Sequence, residues 1–229
     1  MNRQQPLALA PPAGNADWTE SSLLDGPTRR ALGSINLAFL NLAIELAEEG
    51  RLKLISGLPA RAIDSLIDPD AGRKLCESLP YALFDLRFGD GSFWASEIAA
   101  TGSVQDAEPG PAVDERLVSF ARAAIMLVWH LAQTRAAGAR LIFGASPATI
   151  AAVAAMPIAA AERLARRVAA VLAARFSSRA RYWLQFEGCA VQPDDRAVNL
   201  LRQLGLQIQG ADSARGQALQ RRQRRGAAG

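Results

Sequence analysis

Three arginines in the second half of the chain have the spacing of a phosphate-binding surface. Arg166 and Arg167 follow Arg163 by three and four residues, so on a helix the three guanidinium groups lie on one face. A guanidinium group stays charged and donates hydrogen bonds in a fork that fits phosphate oxygens. Three arginines further along extend this predicted basic surface: Arg175, Arg179 and Arg181. The alternative is the solvated basic face of an amphipathic helix.

The segment around these arginines resembles two helices joined by a tight turn. Ser146 is a good N-cap for the first helix, and Pro157 suits the first turn of the second. A DNA-recognition helix usually reads bases from its first turn, but residues 158–161 are all apolar. We therefore expect the arginines to contact DNA phosphates rather than base edges.

Few other side chains could carry chemistry. The chain has one histidine, His130, and two cysteines, Cys76 and Cys189. Two thiols cannot build a disulfide scaffold or a four-thiolate zinc site. No phosphate-binding glycine motif and no nucleophile-elbow motif occurs in the sequence. We expect a protein that is not an enzyme and that has no cofactor and no metal.

Charge is divided unequally between the two halves of the chain. Residues 1–115 contain 9 basic and 17 acidic residues, whereas residues 116–229 contain 17 basic and 5 acidic ones. The basic half indicates nucleic acid or another polyanion as a partner, and the acidic half a protein partner. Alternatively, the two halves neutralise each other by packing together.

One long uncharged segment raises the question of a membrane. Residues 141–161 contain no charged side chain, which is long enough for a span. Two prolines and many weakly apolar alanines favour buried helices instead, and the N-terminal segment does not resemble a secretion signal. We expect a cytoplasmic protein with no membrane partner.

The elements that position the arginines recur in two similar halves. Gly144 follows Gly57 by the same number of residues as Ile150 follows Ile63, and similar apolar segments surround both pairs. The pattern predicts a mainly α fold of two similar helical units, each with a short strand or hairpin, packed as a pseudo-dimer. The strand segments are YALFDLRF, a hairpin return SFWASEI, and RYWLQF in the second half. The alternative is chance similarity between alanine-rich helices.

The predicted boundaries follow these patterns. Residues 1–30 form a mobile leader and residues 31–100 the first helical unit. Residues 101–112 form a linker, residues 113–210 the second, basic unit, and residues 211–229 a disordered basic tail.

Two apolar stripes at helical spacing predict surfaces for helix pairing. The residues of these stripes are Leu37, Leu40 and Ile44 in the first unit and Leu117, Phe120, Leu127 and Leu131 in the second. We expect them to join two copies of the unit, or the chain and a partner.

Residues at corresponding positions of both units resemble those of the FlhD family; we call them the landmark residues. FlhD is a subunit of the bacterial flagellar master transcriptional regulator. In residues 34–90 the similar positions are Asn36, Leu37, Phe39, Leu40, Gly57, Pro69, Lys74, Leu75, Arg87 and Phe88. In residues 124–187 they are Leu131, Ala132, Phe143, Gly144, Ile150, Met156, Pro157, Leu164 and Ala165.

The resemblance implies a helical, dimerising subunit that acts with a zinc-containing FlhC-type partner to activate promoters. The sequence departs from the family in its length, which is about double, and in Phe84, which stands where a cysteine would suit an intersubunit disulfide. We expect a transcriptional regulator subunit that binds promoter DNA of flagellar or related genes. The alternative is a dimeric protein-interaction adaptor or anti-regulator without DNA binding.

Overall fold

The computed structural model describes residues 24–66, 69–102, 113–192 and 194–226. In these ranges the chain forms ten α-helices and one two-stranded sheet, so the prediction of a mainly α fold is confirmed. The first half contains α1 (Gly26–Glu48), a 3-10 turn (Leu52–Leu54), α2 (Ala60–Asp64), α3 (Pro69–Ser78), β1 (Phe84–Asp85) and α4 (Gly91–Ala100). The second half begins with α5 (Glu115–Thr134), α6 (Ala136–Phe143) and α7 (Pro147–Ala155). Helix α8 (Ala161–Val168) follows, between two further 3-10 turns (Ile158–Ala160 and Ala169–Val171). The half ends with β2 (Ala173–Ala174), α9 (Ala180–Val191) and α10 (Asp195–Gly226).

Helix α1 begins at Gly26, inside the segment predicted to be a mobile leader. The Asp25 carboxylate accepts a hydrogen bond from the Thr28 amide at 2.9 Å, and proline lies in the first turn. This is a standard helix start, since the carboxylate satisfies an amide that has no partner within the helix. The predicted leader therefore does not extend to residue 30, because residues 26–30 are helical. Residues 1–23 lie outside the described ranges.

The two predicted apolar stripes meet inside the chain. Helices α1 and α5 pack against each other, and each also packs against a helix of its own half, α1 against α3 and α5 against α8. The stripe residues belong to one core, in which Leu40, Leu117, Phe120 and Leu131 are buried and Leu37, Ile44 and Leu127 are partly buried. The rings of Phe39 and Phe120 lie 5.8 Å apart across the contact between α1 and α5.

Several local features recur in the same order in both halves. Gly57 and Gly144 both have left-handed backbone conformations, with φ of 71° and 61°. Arg87 and Phe176, each two residues after the end of its strand, are the described non-glycine residues with positive φ. Strands β1 and β2 pair antiparallel with each other, so the two halves meet at this pair.

The helix that follows each strand packs on the opposite half. Helix α4 of the first half packs against α7 and α8, and helix α9 of the second half packs against α2 and α3. The aromatic core also crosses between halves, because Phe84 lies 4.8 Å from Phe120 and 6.1 Å from Phe143, measured between ring centroids. Each half therefore completes the core of the other.

The strand predictions were mostly wrong. Of the segment YALFDLRF only Phe84 and Asp85 form a strand, while SFWASEI lies in α4 and RYWLQF in α9. The expected hairpin turn fails because Asp90 acts as an N-cap: its carboxylate accepts a hydrogen bond from the Phe93 amide at 3.0 Å. Trp94 is then fully buried, and its indole Nε1 donates to the Leu86 carbonyl at 3.1 Å.

The predicted tail is also different, because α10 continues to Gly226 through the segment expected to be disordered. Gly205 lies within this helix and faces Tyr81. A Cβ atom at residue 205 would lie 2.2 Å from the Tyr81 ring. The Tyr81 hydroxyl donates to the Leu201 carbonyl at 2.9 Å, so this glycine allows the ring to reach the helix backbone.

We expect opposite effects from alanine at two glycines of α10. Gly205→Ala forces the Tyr81 ring away and lowers the free energy of unfolding by about 1–3 kcal/mol. A Cβ atom added at Gly210 would meet nothing within 4 Å. Alanine has a higher helix propensity than glycine, so Gly210→Ala raises the free energy of unfolding by about 0.5–1 kcal/mol. Urea denaturation followed by circular dichroism measures both. An unchanged stability in Gly210→Ala would contradict a helix at this position.

Among the residues that the structure describes, two helices are long and apolar enough to cross a membrane by length and composition. They are α1 and α5, and in each the most apolar window is half buried inside the protein. Helix α7 and the helical segment 158–171 would make a third candidate if they formed one span, but they are bent by 104° at their junction.

Candidate nucleic-acid interface

The three arginines of α8 lie on one exposed side of the helix, as their spacing predicts, and each contacts another part of the chain. Arg163 Nε donates to the Thr101 carbonyl at 3.0 Å, and Arg167 Nε donates to Glu97 at 2.7 Å. Both acceptors belong to α4 or its C-terminal cap. These two arginines therefore hold the first-half helix α4 against the second half.

Arg166 of α8 contacts α5 instead. Its guanidinium group lies 2.6 Å from Glu115 at the start of α5 and 3.7 Å from Glu162 one turn earlier on its own helix. The hydrogen bond to Glu115 raises the pKa of Arg166 above its usual value. The three arginines thus link α8 to both neighbouring helices, and much of their charge is neutralised within the chain.

Arg175 is buried, with 8% of its surface exposed, and the prediction that it contacts DNA is wrong. Its guanidinium group donates to the Ile142 carbonyl and lies over the Phe176 ring, 5.3 Å from the centroid. Burial lowers the pKa of Arg175 to about 10. The group fits because Gly144 has no side chain, since a Cβ there would overlap the guanidinium nitrogen.

The last two predicted arginines lie at the beginning of α9. Arg179 forms an ion pair with Asp212 of α10 at 2.7 Å, which fixes the C-terminal helix against the turn after β2. Arg181 is exposed and forms no ion pair with the residues that the structure describes.

The six predicted arginines do not form one continuous surface. Arg175 and Arg179 line a cleft of about 340 Å³ between the end of α6, the turn after β2 and α10, together with Arg140 and the oppositely charged Asp85 and Asp212. The α8 arginines do not line this cleft. The spacing of the α8 arginines predicted their shared face. It could not show that Arg175 is buried, or that Arg175 and Arg179 line a separate cleft.

The basic segment that sequence reasoning placed in a disordered tail has a helical backbone. Residues 213–226 contain five arginines and no acidic residue: Arg215, Arg221, Arg222, Arg224 and Arg225. The last residues of α10 whose burial is described are all exposed: Gly210, Ala211, Asp212 and Ala214. The alanine, glutamine, leucine and arginine residues of this segment are good helix formers and could have predicted the helix. Gly216 and the glycine and alanine residues at the end of the segment weakened that signal.

No metal site accompanies these arginines within the described residues. No three histidine, cysteine, aspartate or glutamate side chains there lie close enough to hold an ion. Cys76 and Cys189 are free and buried, and burial raises the pKa of the Cys76 thiol to about 12.

Comparison of the chain with known protein families, curated proteins and solved structures gave no match. The resemblance to FlhD therefore rests on the landmark residues alone.

Proposed function

We propose that this chain is a subunit of a transcriptional regulator that binds promoter DNA of flagellar or related genes together with an FlhC-type partner. The landmarks shared with FlhD support the class of protein. The C-terminal part of α10 supports the contact with DNA, since it combines a helical backbone with five arginines and no acidic residue. This second observation carries the proposal, because the α8 arginines are engaged inside the chain.

The dimensions of this basic helical segment suit a DNA groove. At about 1.5 Å per residue, residues 213–226 extend over roughly 21 Å, or about six base pairs at ~3.4 Å each. An α-helix fits the major groove of B-DNA. The five arginines would contact phosphates, which give affinity without base specificity.

The partner protein would contact the exposed acidic residues of the first half. Several carboxylates there are already paired with arginines of the second half: Glu49 lies 2.7 Å from Arg116, and Glu97 pairs with Arg167. Glu48, Asp64 and Glu77 are exposed at the ends or outer faces of α1, α2 and α3. These exposed carboxylates are the residues that we assign to the contact with the partner.

We also propose that the two halves are copies of one duplicated unit, packed as a pseudo-dimer. The left-handed residues after both strands, the antiparallel pairing of β1 with β2, and the exchange of α4 and α9 support this origin. Covalent linkage of two copies would replace a bimolecular association with an intramolecular one.

A second candidate function is a protein-interaction adaptor without DNA binding. The ion pairs of Arg166 and Arg167 favour it, because a face that is neutralised within the chain attracts phosphate weakly. In this case the basic half would serve only to bind the acidic half.

A salt series of DNA affinities distinguishes the two candidates. We expect binding to flagellar promoter fragments, measured by fluorescence anisotropy with the FlhC-type protein present, to weaken steeply with salt. Changing Arg221, Arg222, Arg224 and Arg225 to Gln removes up to four phosphate contacts, so the slope of log K against log salt becomes shallower by up to about 3.6. The matched control changes Arg29, Arg30, Arg61 and Arg73 to Gln, an equal loss of charge on the first half.

Two results would overturn the assignment. Equal slopes for the tail variant and its control would show that α10 does not contact DNA. An absence of binding with and without the partner, from a folded protein, would leave the adaptor as the function. Changing Arg163, Arg166 and Arg167 to Gln should leave the slope unchanged and lower the thermal stability only slightly, because exposed ion pairs contribute little to stability.

A further inference from the structure

The cleft between the end of α6, the turn after β2 and α10 has the size and charge of a binding site for a small anion. Its volume is about 340 Å³, which is within the range of pockets that hold small molecules. Five charged residues line it: Asp85, Arg140, Arg175, Arg179 and Asp212. Because three arginines outnumber two aspartates, the positive potential in the cleft favours an anionic ligand.

The guanidinium group of Arg175 is buried in the wall of this cleft without an acidic partner. It donates to the Ile142 carbonyl. In the amide orientation that satisfies both polar atoms of Gln209, it also donates to the amide oxygen of that residue at 3.0 Å. It forms no ion pair with the residues that the structure describes. Burying an unpaired charge costs free energy, and burial accordingly keeps the pKa of Arg175 below its usual value.

The fold itself does not require a charge at this position. Leu86 has the matching position in the first half, since it follows β1 and precedes Arg87, as Arg175 follows β2 and precedes Phe176. Arg87 and Phe176 both have left-handed backbone conformations, and Leu86 is fully buried. An apolar side chain thus fills the position in one half, whereas the other half has a buried cation beside a cleft. Such a charge is typical of a functional site.

Other hydrogen-bond donors at the cleft also have few acceptors in the described chain. Arg140 is exposed and forms no ion pair with the described residues. Arg179 pairs with Asp212, but its buried Nε has no acceptor. Ser177 and Ser178 are exposed and bring hydroxyl groups to the same cleft. The cleft therefore has donors available for an anionic ligand.

The two acidic residues limit where an anion can bind in the cleft. Asp212 is engaged by Arg179 at 2.7 Å. Asp85 accepts a hydrogen bond from the Phe88 amide at 3.0 Å through one carboxylate oxygen, and its charge partly offsets that of Arg175. An anionic group therefore fits best at the two arginines without a carboxylate partner, and the second oxygen of Asp85 can accept from a hydroxyl group.

We propose that this cleft binds a small phosphate ester, whose phosphate group is held by Arg140 and Arg175. A terminal phosphate has three acceptor oxygens, so it can bind two guanidinium groups and a serine hydroxyl together, whereas a carboxylate has two oxygens. The N-terminus of α7 at Pro147 also lines the cleft, and the helix dipole adds positive potential there. A hydroxyl group of the ligand donates to Asp85. This site does not depend on DNA binding or on the proposed function.

Isothermal titration calorimetry of the full chain with ribose 5-phosphate, which carries both a phosphate and hydroxyl groups, tests the site. We expect a dissociation constant of about 1 mM or tighter. Arg140→Gln should weaken binding at least about tenfold, because one charge-assisted contact is lost. The matched control Arg61→Gln removes another exposed arginine outside the cleft and should bind like the wild type. Equal affinities of Arg140→Gln and the wild type would overturn the proposal.

The variant Arg175→Leu tests the buried arginine by introducing the residue type found at the matching position of the first half. It should fold, because the Ile142 carbonyl keeps its hydrogen bond from the Ala82 amide at 3.0 Å. We expect it to lose measurable binding of ribose 5-phosphate. Retained binding would exclude Arg175 from the site. Should this variant not fold, the comparison of Arg140→Gln with the wild type still decides the question.

Further ligands identify the chemistry that the cleft recognises. At the same ionic strength, inorganic phosphate should bind more weakly than ribose 5-phosphate, and ribose should not bind. Succinate that binds as tightly as the phosphate ester would exclude selection of phosphate. The phosphates of a promoter duplex are the remaining source of this group. Loss of DNA affinity in Arg140→Gln, with no binding of ribose 5-phosphate to the wild type, would assign the cleft to nucleic acid and overturn the proposal of a small ligand.

Discussion

Replacing Asn36 with leucine lowers the free energy of unfolding by about 2–4 kcal/mol, because it leaves two buried backbone groups without partners. Asn36 is fully buried in α1. Its amide nitrogen donates to the Tyr81 carbonyl at 2.9 Å, and its amide oxygen accepts from the Leu83 amide at 2.9 Å. The side chain thus fixes the segment before β1 against α1, where no regular secondary structure satisfies these groups.

The control for this substitution is Asn41→Leu in the same helix. Asn41 is exposed, so we expect its change to alter stability by no more than about 0.5 kcal/mol. Urea denaturation followed by circular dichroism at 222 nm measures both variants. Equal effects would show that the two hydrogen bonds of Asn36 contribute nothing beyond the change in side-chain type.

Dividing the chain between Ala107 and Glu108 should give two fragments that fold only together. The packing of α4 on the second half and of α9 on the first makes each fragment incomplete. The ring of Tyr81 lies 5.5 Å from Phe176 and 6.1 Å from Tyr182, so this aromatic cluster is also divided by the cut. We expect the co-expressed fragments to purify as one complex with the helical content of the intact chain.

Each fragment expressed by itself should lose most of its helical signal and expose apolar surface to a dye such as ANS. A matched control introduces the same tag into the uncut chain. Fragments that fold separately and do not associate would contradict the exchange of α4 and α9 between halves. They would also remove the main support for the pseudo-dimer.

The sequence predicted the helices well where the signal is local. Local sequence patterns show the apolar stripes of α1 and α5 and the matching positions of Gly57 and Gly144. A stripe at helical spacing must be buried, and a left-handed turn favours glycine, so these patterns are decided by neighbouring residues. The exposed face shared by the α8 arginines followed from spacing in the same way.

The tertiary structure decided which partner each feature meets. Nothing local indicates that Asp90 caps a helix instead of forming a hairpin turn, because an Asp-Gly pair suits both. Gly205 lies inside α10, where the Tyr81 ring occupies the space that a side chain would need. The burial of Arg175 against Ile142 is likewise a contact between distant segments.

The candidate site shows the same division. Charge and spacing determined that the second half is basic and that three arginines share a face. Only the fold placed Glu97 and Glu115 opposite those arginines, because the acceptors come from α4 and α5. An ion pair depends on the distance between side chains that the chain brings together from far apart, and a single sequence does not contain that distance.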